Sequence, residues 1–283
     1  MPHSGMTMNS LNEPTRAFTK LSLKWSMIEE PTLSILDKFL LLADLGFDGV
    51  ELDAPNELPL GEVVAARDRS GLAIPGVINS MHWKAPLTDP DASVRQIGVE
   101  AIRTALDNAR EYGASTVLVV PGVVNAQTSY SQAYALAQAE LRKVLDHAET
   151  TGVSIAIENV WNDFLLSPLE AARFVDELGG ARVGWYFDVG NVLRYGRPAH
   201  WTEALGKRIL KVDIKEFSLT RMNAEGPWKG FEVELGEGDC DWATVNSALL
   251  TSGYSGWGSI EMPGGDRHRL KALKDGADRI AAL

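Results

Sequence analysis

Four carboxylate residues stand at the ends of four consecutive apolar segments in the second half of the chain. They are Glu158, Asp188, Asp213 and Glu261. If these segments are neighbouring strands of one parallel sheet, their carboxyl ends meet at the same edge and the four side chains converge. Carboxylates crowded into low-dielectric surroundings repel one another, and a divalent cation relieves that repulsion. The pattern therefore predicts that these four residues hold one metal ion.

The chemistry of the four predicted ligands indicates which metal they would bind. All of them offer oxygen atoms, which suit Mg²⁺ or Mn²⁺, whereas zinc sites usually recruit histidine and cysteine. The only cysteine is Cys240, so a cysteine-based zinc site is excluded. We expect one divalent cation, with Mn²⁺ as the first choice and Mg²⁺ or Co²⁺ as alternatives.

Eight short apolar runs alternate with longer stretches of helical periodicity, which is typical of repeated βα units. The runs span residues 21–27, 47–53, 73–80, 115–121, 153–159, 183–190, 209–217 and 257–263. Helical stretches such as 93–112 and 131–151 end at a glycine that can take the left-handed cap conformation. We predict an α/β protein with a single (β/α)8 TIM barrel. A doubly wound sheet stays open as the alternative, because periodicity does not show closure.

Length and composition favour one catalytic domain. The 283 residues suit one barrel, and we assign residues 1–18 to a flexible N-terminus and residues 19–283 to the barrel. The net charge of −11 would repel a nucleic-acid backbone, so no nucleic-acid partner is expected. The N-terminus has no apolar core of a signal peptide, and no stretch approaches about 18 uninterrupted apolar residues. We predict a cytoplasmic protein without a membrane partner.

Further residues near predicted strand ends are candidates for substrate binding. His82 follows the third strand, Lys215 lies two residues beyond Asp213 on the same strand face, and Asn191 follows the sixth strand. Two aromatic candidates are Trp25 and Trp161, because aromatic side chains can pack on the C–H faces of a sugar ring. Core packing is the alternative explanation for the aromatic residues.

Five motifs in order along the chain resemble one known family. They are GFDGVEL at the second predicted strand, IAIENVWN at the fifth, YFDVGN at the sixth, LGEGDCDW after the seventh and IEM at the eighth. Together they are similar to the xylose-isomerase-like barrels, in the branch of ketose 3-epimerases, L-ribulose-5-phosphate 3-epimerases and hydroxypyruvate isomerases. The resemblance runs from about residue 20 to the end of the chain.

The resemblance implies roles for individual residues. It places Glu158, Asp188 and Glu261 at metal-ligand positions, makes Glu158 and Glu261 the acid/base pair, and puts Glu51 near the mouth. The family's fourth ligand is normally a histidine, where this chain has Asp213. That change keeps an atom that can bind metal but adds negative charge.

These residues predict a metal-dependent sugar or sugar-phosphate isomerase or epimerase acting on a small sugar-like substrate. Two glutamates flanking a hydroxy-ketone can remove a proton beside the carbonyl and return one, through an enediolate. Two alternatives stay open: a metal-dependent dehydratase of a keto-inositol or related keto-acid, and a non-catalytic sugar-binding barrel. A homodimer or homotetramer is the expected assembly.

Overall fold

The computed structural model describes residues 15–283, in which eight parallel strands form a closed barrel. The strands are β1 (Phe18–Lys24), β2 (Gly49–Ala54), β3 (Gly76–Asn79), β4 (Thr116–Val119), β5 (Ser154–Glu158), β6 (Val183–Asp188), β7 (Ile209–Ile214) and β8 (Gly256–Ile260). Each strand pairs with the next, and β8 pairs with β1 in parallel. The predicted TIM barrel is confirmed, and the doubly wound sheet is excluded. Most of the predicted flexible N-terminus lies outside the described residues.

Eleven helices lie in the described part of the chain. They are α1 (Ile35–Asp44), α2 (Leu60–Ser70), α3 (Ala92–Tyr112), α4 (Tyr130–Arg142), α5 (Leu145–Thr151), α6 (Pro168–Leu178), α7 (Val189–Val192), α8 (Pro198–Leu205), α9 (Leu219–Glu225), α10 (Trp242–Thr251) and α11 (Arg267–Ala281). The predicted helix 131–151 is two helices, α4 and α5. Gly113 and Gly152 cap α3 and α5 with positive φ angles of 75° and 73°, a conformation that glycine adopts without steric cost.

Seven of the eight strands end one to three residues earlier than predicted, and β6 and β7 are the two that matter for the site. The sixth predicted strand, 183–190, stops at Asp188 because the Asp188 side chain accepts a hydrogen bond from Asn191 N and begins α7. The seventh, 209–217, stops at Ile214. Both changes bring the polar residues of these segments to the mouth of the barrel, where the strands end.

The core has an inner and an outer part. Inside the barrel, Leu118, Ala156 and Tyr186 form one buried cluster. Between strands and helices, a larger buried cluster includes Phe39, Phe174 and other apolar side chains. This two-layer packing leaves the carboxyl ends of the strands as the open face. Within residues 15–283, no helix is both long enough and apolar enough to cross a membrane.

Candidate active site

The four predicted carboxylates converge at the carboxyl end of the barrel. Glu158 and Asp188 are the last residues of β5 and β6, Asp213 lies one residue before the end of β7, and Glu261 follows β8 directly. Each side chain offers an oxygen atom, and these oxygens all lie within 4.8 Å of one another. Asp188 and Asp213 are fully buried, and Glu158 is 7% exposed. The structure thus brings together the four residues that were predicted as metal ligands.

Hydrogen bonds at the end of β5 hold two of these carboxylates in place. Asn159 Oδ1 accepts hydrogen bonds from Trp185 Nε1 and from Asp188 N, at 2.9 and 3.1 Å. Its Nδ2 donates to Asp188 O at 2.7 Å. Because Asn159 is the neighbour of Glu158, this amide fixes the spacing between the ends of β5 and β6.

Two lysines reach into the carboxylate cluster, Lys24 buried and Lys215 with 14% of its side chain exposed. Lys24, the last residue of β1, places Nζ 2.7 Å from Asp213 Oδ2 and also binds Glu261 Oε2. Lys215 Nζ lies 2.8 Å from Asp188 Oδ2 and 2.7 Å from Glu261 Oε1. Four carboxylates and two ammonium groups leave a net charge of −2 when all are ionised. One divalent cation would neutralise that charge.

The donor set fits a hard divalent cation. Asp213 Oδ1 is buried and has no hydrogen-bond partner among the described residues, although an unpaired buried acceptor is costly. A cation among the four carboxylates would satisfy it. The clustered oxygens, the unpaired Asp213 atom and the charge of −2 together match the oxygen coordination that Mg²⁺ and Mn²⁺ prefer.

The two glutamates of the cluster have opposite electrostatic environments. Burial, opposed by Lys24 and reinforced by Glu261, raises the pKa of Glu158 to about 8. Burial alone would also raise the pKa of Glu261, but the ammonium groups of Lys215 and Lys24 hold it well below its usual range. At neutral pH and without a cation, Glu158 therefore carries a proton and Glu261 is ionised. Acid/base pairs are commonly separated in this way by their surroundings.

A buried ion pair forms the floor beneath the carboxylates. Glu51 is fully buried, with Oε1 3.1 Å from Lys211 Nζ and Oε2 accepting a 2.7 Å hydrogen bond from the Tyr186 hydroxyl. Gly76 of β3 makes room for this pair, because an added Cβ would lie 2.7 Å from Lys211 Nζ and 2.8 Å from Glu51 Oε1. Lys24 Nζ lies 5.5 Å from the Tyr186 ring centre, which connects this floor to the cluster above.

The mouth of the barrel has two adjoining cavities. The polar compartment, of about 260 Å³, is lined by Lys24, Ser26, Asp53, Ile78, His82, Trp83, Leu118, Glu158, Val160, Lys215 and Glu261. The aromatic compartment, of about 370 Å³, is lined by Trp83, Val160, Trp161, Asn191, Lys215, Trp228, Phe231, Glu261, Met262 and Pro263. Four residues line both: Trp83, Val160, Lys215 and Glu261. The carboxylates Glu158 and Glu261 and an aromatic wall thus belong to one continuous opening.

His82 enters the polar compartment as a neutral side chain. It is 9% exposed, and its ring packs edge-on against Trp83 with 5.2 Å between ring centres. Burial, together with the charge of Lys24, lowers the pKa of His82 to about 4. The neutral imidazole can exchange hydrogen bonds with a substrate hydroxyl without adding charge to the site.

The structure separates the predicted substrate-binding residues into two groups. Four of them, His82, Lys215, Asn191 and Trp161, line the compartments. The other two do not: Trp25 packs on Phe39 of α1, with ring centres 6.0 Å apart, and Glu51 belongs to the floor, one layer below the mouth. The second-strand residue that lines the polar compartment is Asp53, two positions beyond Glu51 on the same strand face.

Asp53 ends the second predicted strand, 47–53, but sequence reasoning did not single it out. Lys24 was a polar candidate at the first strand without an assigned role, and the structure places it at the end of β1. The aromatic residues Trp228 and Phe231 lie in the segment after β7. They line the aromatic compartment.

Comparison with known proteins identifies the family to which this chain belongs. The family profile described as "Xylose isomerase-like TIM barrel" matches residues 39–283. The chain belongs to this family. The resemblance predicted from the five motifs is confirmed.

Similar proteins of this family are sugar epimerases. The L-ribulose-5-phosphate 3-epimerase UlaE of Salmonella paratyphi C is 26% identical over 240 residues, which cover 80% of this chain and 81% of that protein. This relationship supports the predicted assignment of the chain to the isomerases.

Two solved structures show the same fold. The 3-keto-D-glucoside 4-epimerase YcjR of E. coli superposes with a TM-score of 0.77 at 18% identity, covering 93% of this chain and 99% of that one. A D-tagatose 3-epimerase-like protein also gives 0.77, at 24% identity, covering 92% and 98%.

Proposed function

We propose that this protein is a divalent-metal-dependent epimerase or isomerase of a small keto-sugar. The observation that carries the proposal is the convergence of Glu158, Asp188, Asp213 and Glu261 within 4.8 Å at the barrel mouth. Two of these residues, Glu158 and Glu261, enter the polar compartment from strands three positions apart in the barrel. Two carboxyl groups can therefore approach one substrate carbon from different sides.

Proton transfer would use the two glutamates as a pair. The ionised Glu261 accepts the proton from the carbon beside the substrate carbonyl, and the electron pair of the broken C–H bond moves into an enediolate. Glu158 would then donate to carbon, from the other side, a proton that it has taken up from solvent. Return to the same carbon gives the epimer, and return to the neighbouring carbon gives the aldose–ketose isomer. Proton exchange with solvent then returns Glu261 to its ionised form and Glu158 to its protonated form, so that the next turnover can begin.

The remaining residues would position the substrate and stabilise the negative charge of its enolised form. A cation held by Glu158, Asp188, Asp213 and Glu261, Mn²⁺ as first choice, would supply positive charge that stabilises the enolised substrate. Lys215 and Lys24 hold Glu261 in its ionised form, and the neutral His82 can bind a hydroxyl group.

The charges at the mouth favour a substrate without phosphate. Among the described residues that line the two compartments, the side chains carrying positive charge are Lys24 and Lys215, and both are already paired with carboxylates. A phosphate group would meet a site of net negative charge unless a cation is bound. This contrasts with the phosphorylated substrate in the name of the Salmonella relative.

Deuterium exchange tests the proposed function. The Mn²⁺-loaded protein is incubated in D₂O with a panel of ketoses, and exchange at the carbon beside the carbonyl is followed by NMR and mass spectrometry. We expect exchange that stops when the metal is removed by a chelator and returns with Mn²⁺. A product lighter by one water would support the dehydratase alternative. Intact metal binding without any exchange would support a non-catalytic barrel.

A further inference from the structure

The wall of the aromatic compartment is built from two parts of the chain that meet at Trp161. Trp161 follows β5, and its ring centre lies 5.0 Å from that of Trp228 and 4.9 Å from that of Phe231, both in the segment after β7. Phe217 closes the cluster from beneath, 4.7 Å from Phe231. Such distances are those of mutually stabilising aromatic pairs.

This wall keeps apolar surface open to the cavity. Trp228 is 70% exposed and Trp83, across the opening, is 51% exposed. Large exposed aromatic residues that line a concave surface are typical of ligand sites rather than of ordinary protein surface. The two tryptophans therefore offer flat faces to a bound molecule.

The wall is held firmly in place. Trp161 Nε1 donates to Asn191 O at 3.0 Å, and the Arg194 guanidinium lies 4.6 Å from the Trp161 ring centre. The segment that carries Trp228 and Phe231 is tied down by Ser218 N, which donates to Gly230 O at 2.8 Å. A ligand entering the compartment would meet a surface that is already formed, which lowers the entropic cost of binding.

Lys215 connects the aromatic compartment to the reacting groups. Its ammonium lies 5.6 Å from the Phe231 ring centre while it binds Glu261 and Asp188. A substrate whose reacting carbon lies at Glu261 would thus extend past Lys215 onto the aromatic wall. The cavity of about 370 Å³ leaves space there for a second group of the substrate.

We propose, as an extension of the proposed function on which it rests, that the substrate is a keto-disaccharide or keto-glycoside without phosphate. Its keto-sugar part occupies the polar compartment, and a second sugar ring stacks in the aromatic compartment against Trp228 and Trp161. The ring must be uncharged, because the only cation lining this compartment in the described residues is the paired Lys215. The ketone must stay free, because a carbonyl locked in a glycosidic bond cannot form an enediolate.

Three ligands that differ at a single position test this proposal. D-Fructose, isomaltulose (6-O-α-D-glucopyranosyl-D-fructose) and D-fructose 6-phosphate carry nothing, a neutral ring or a phosphate on the same carbon. Their dissociation constants are measured by titration calorimetry on the full-length protein, with and without Mn²⁺. The variants are Trp228→Ala and, as a control, Leu169→Ala, which shortens a side chain that is 74% exposed outside both compartments.

We expect isomaltulose to bind at least tenfold more tightly than fructose, and fructose 6-phosphate to bind no more tightly than fructose in the absence of metal. Trp228→Ala should remove the preference for isomaltulose, and Leu169→Ala should keep it. Equal binding of fructose and isomaltulose, or a preference that survives Trp228→Ala, would overturn the proposal. Tighter binding of fructose 6-phosphate to the metal-free protein would overturn it as well.

Deuterium exchange on the same samples separates this proposal from the proposed function. A preference for isomaltulose without exchange into any ligand would leave the two-ring site standing and remove the epimerase assignment. Exchange into fructose as fast as into isomaltulose, with equal binding, would keep the epimerase and remove the second-ring site.

Discussion

Lys24 Nζ lies 2.7 Å from Asp213 Oδ2, and the two residues are 189 positions apart in the chain. The pair joins the end of β1 to the end of β7, with Glu261 of the intervening strand end bound to the same ammonium group. Asp213 adds a negative charge at the position where the resemblance of this chain to the family implies a histidine. Lys24 supplies a positive charge that offsets it.

Removing Lys24 should make the fold depend more strongly on metal. Lys24→Met leaves the buried Asp213 and the half-buried Glu261 with one positive partner fewer, and breaking a buried ion pair such as Lys24–Asp213 costs about 3–5 kcal/mol. We expect a loss of this order in the metal-free protein and a smaller loss with Mn²⁺, measured by urea unfolding with chelator or metal. Lys38→Met, which removes an ammonium stacked on Trp25, serves as the control. Equal losses with and without Mn²⁺ would contradict a cation site beside Lys24.

Replacing both Asp213 and Lys24 should preserve the affinity for Mn²⁺, whereas replacing Asp213 alone should weaken it. Asp213→His alone makes the cluster less negative, with a net charge of −1 in place of −2. Adding Lys24→Met returns the net charge to −2. We expect Mn²⁺ to bind at least tenfold more weakly to the single variant and near the original affinity to the double one. Calorimetric titration with Mn²⁺ measures both, and similar affinities for single and double variants would show that charge balance does not govern this site.

The two glutamates should respond differently to the same substitution. Glu261→Gln deprives two ammonium groups of a carboxylate, and we expect it to destabilise the metal-free protein by about 3 kcal/mol. Glu158→Gln replaces a group that is already protonated at neutral pH, so its unfolding free energy should change by less than about 1 kcal/mol. Both variants should lose deuterium exchange by about 10²–10⁴-fold. Full exchange in either variant would remove it from the acid/base pair.

His82 should make the protein sensitive to mild acid. Its pKa is about 4 in the folded chain against 6.5 as the ordinary value. Because the folded pKa is lowered, the unfolded chain binds more protons between pH 6.5 and 4, and stability falls as the pH falls through this window. The linkage relation gives a loss of about 2 kcal/mol at pH 5. Urea unfolding of metal-free protein at pH 7 and 5 should show this part of the loss disappear in His82→Gln and persist in His268→Gln, an exposed histidine of α11.

Replacing Gly76 by alanine should destabilise the fold, because the added methyl group would enter the floor of the site. Gly76→Ala would press on Lys211 Nζ and Glu51 Oε1, and we expect a loss of about 2–3 kcal/mol in unfolding free energy. Gly61 of α2 has no atom within 4 Å of an added Cβ, so Gly61→Ala should be neutral or slightly stabilising. Thermal and urea unfolding of the two variants give the comparison. Equal stabilities would mean that the ion pair has room to move.

The sequence was sufficient to predict the eight strands and the four carboxylates at their ends, because strand periodicity and a polar residue at a strand end are local signals. The sequence could not show whether Glu51 or Asp53 lines the site, because both lie on the same face of β2. Which of them reaches the mouth depends on how far β2 extends along the axis of the closed barrel. Trp25 and Trp161 also look equivalent in sequence. The first turns toward α1 and the second into the opening, because a short 3₁₀ turn follows β1. The Lys24–Asp213 pair depends on barrel closure, which no local pattern contains.

The segment after β7, which carries Trp228 and Phe231, is anchored by a buried carboxylate, Glu216, that lies outside both compartments. Glu216 accepts hydrogen bonds from Gly236 N and Trp242 Nε1, each at 2.8 Å, and from Cys240 N at 3.3 Å. The two glutamates that we propose transfer protons, Glu158 and Glu261, lie at the ends of other strands. A lineage could therefore acquire a new range of sugars by altering this anchor or the segment it holds, while the inherited chemistry stays intact. Directed evolution for new substrates should begin between residues 218 and 238, and the strand ends should be left unchanged.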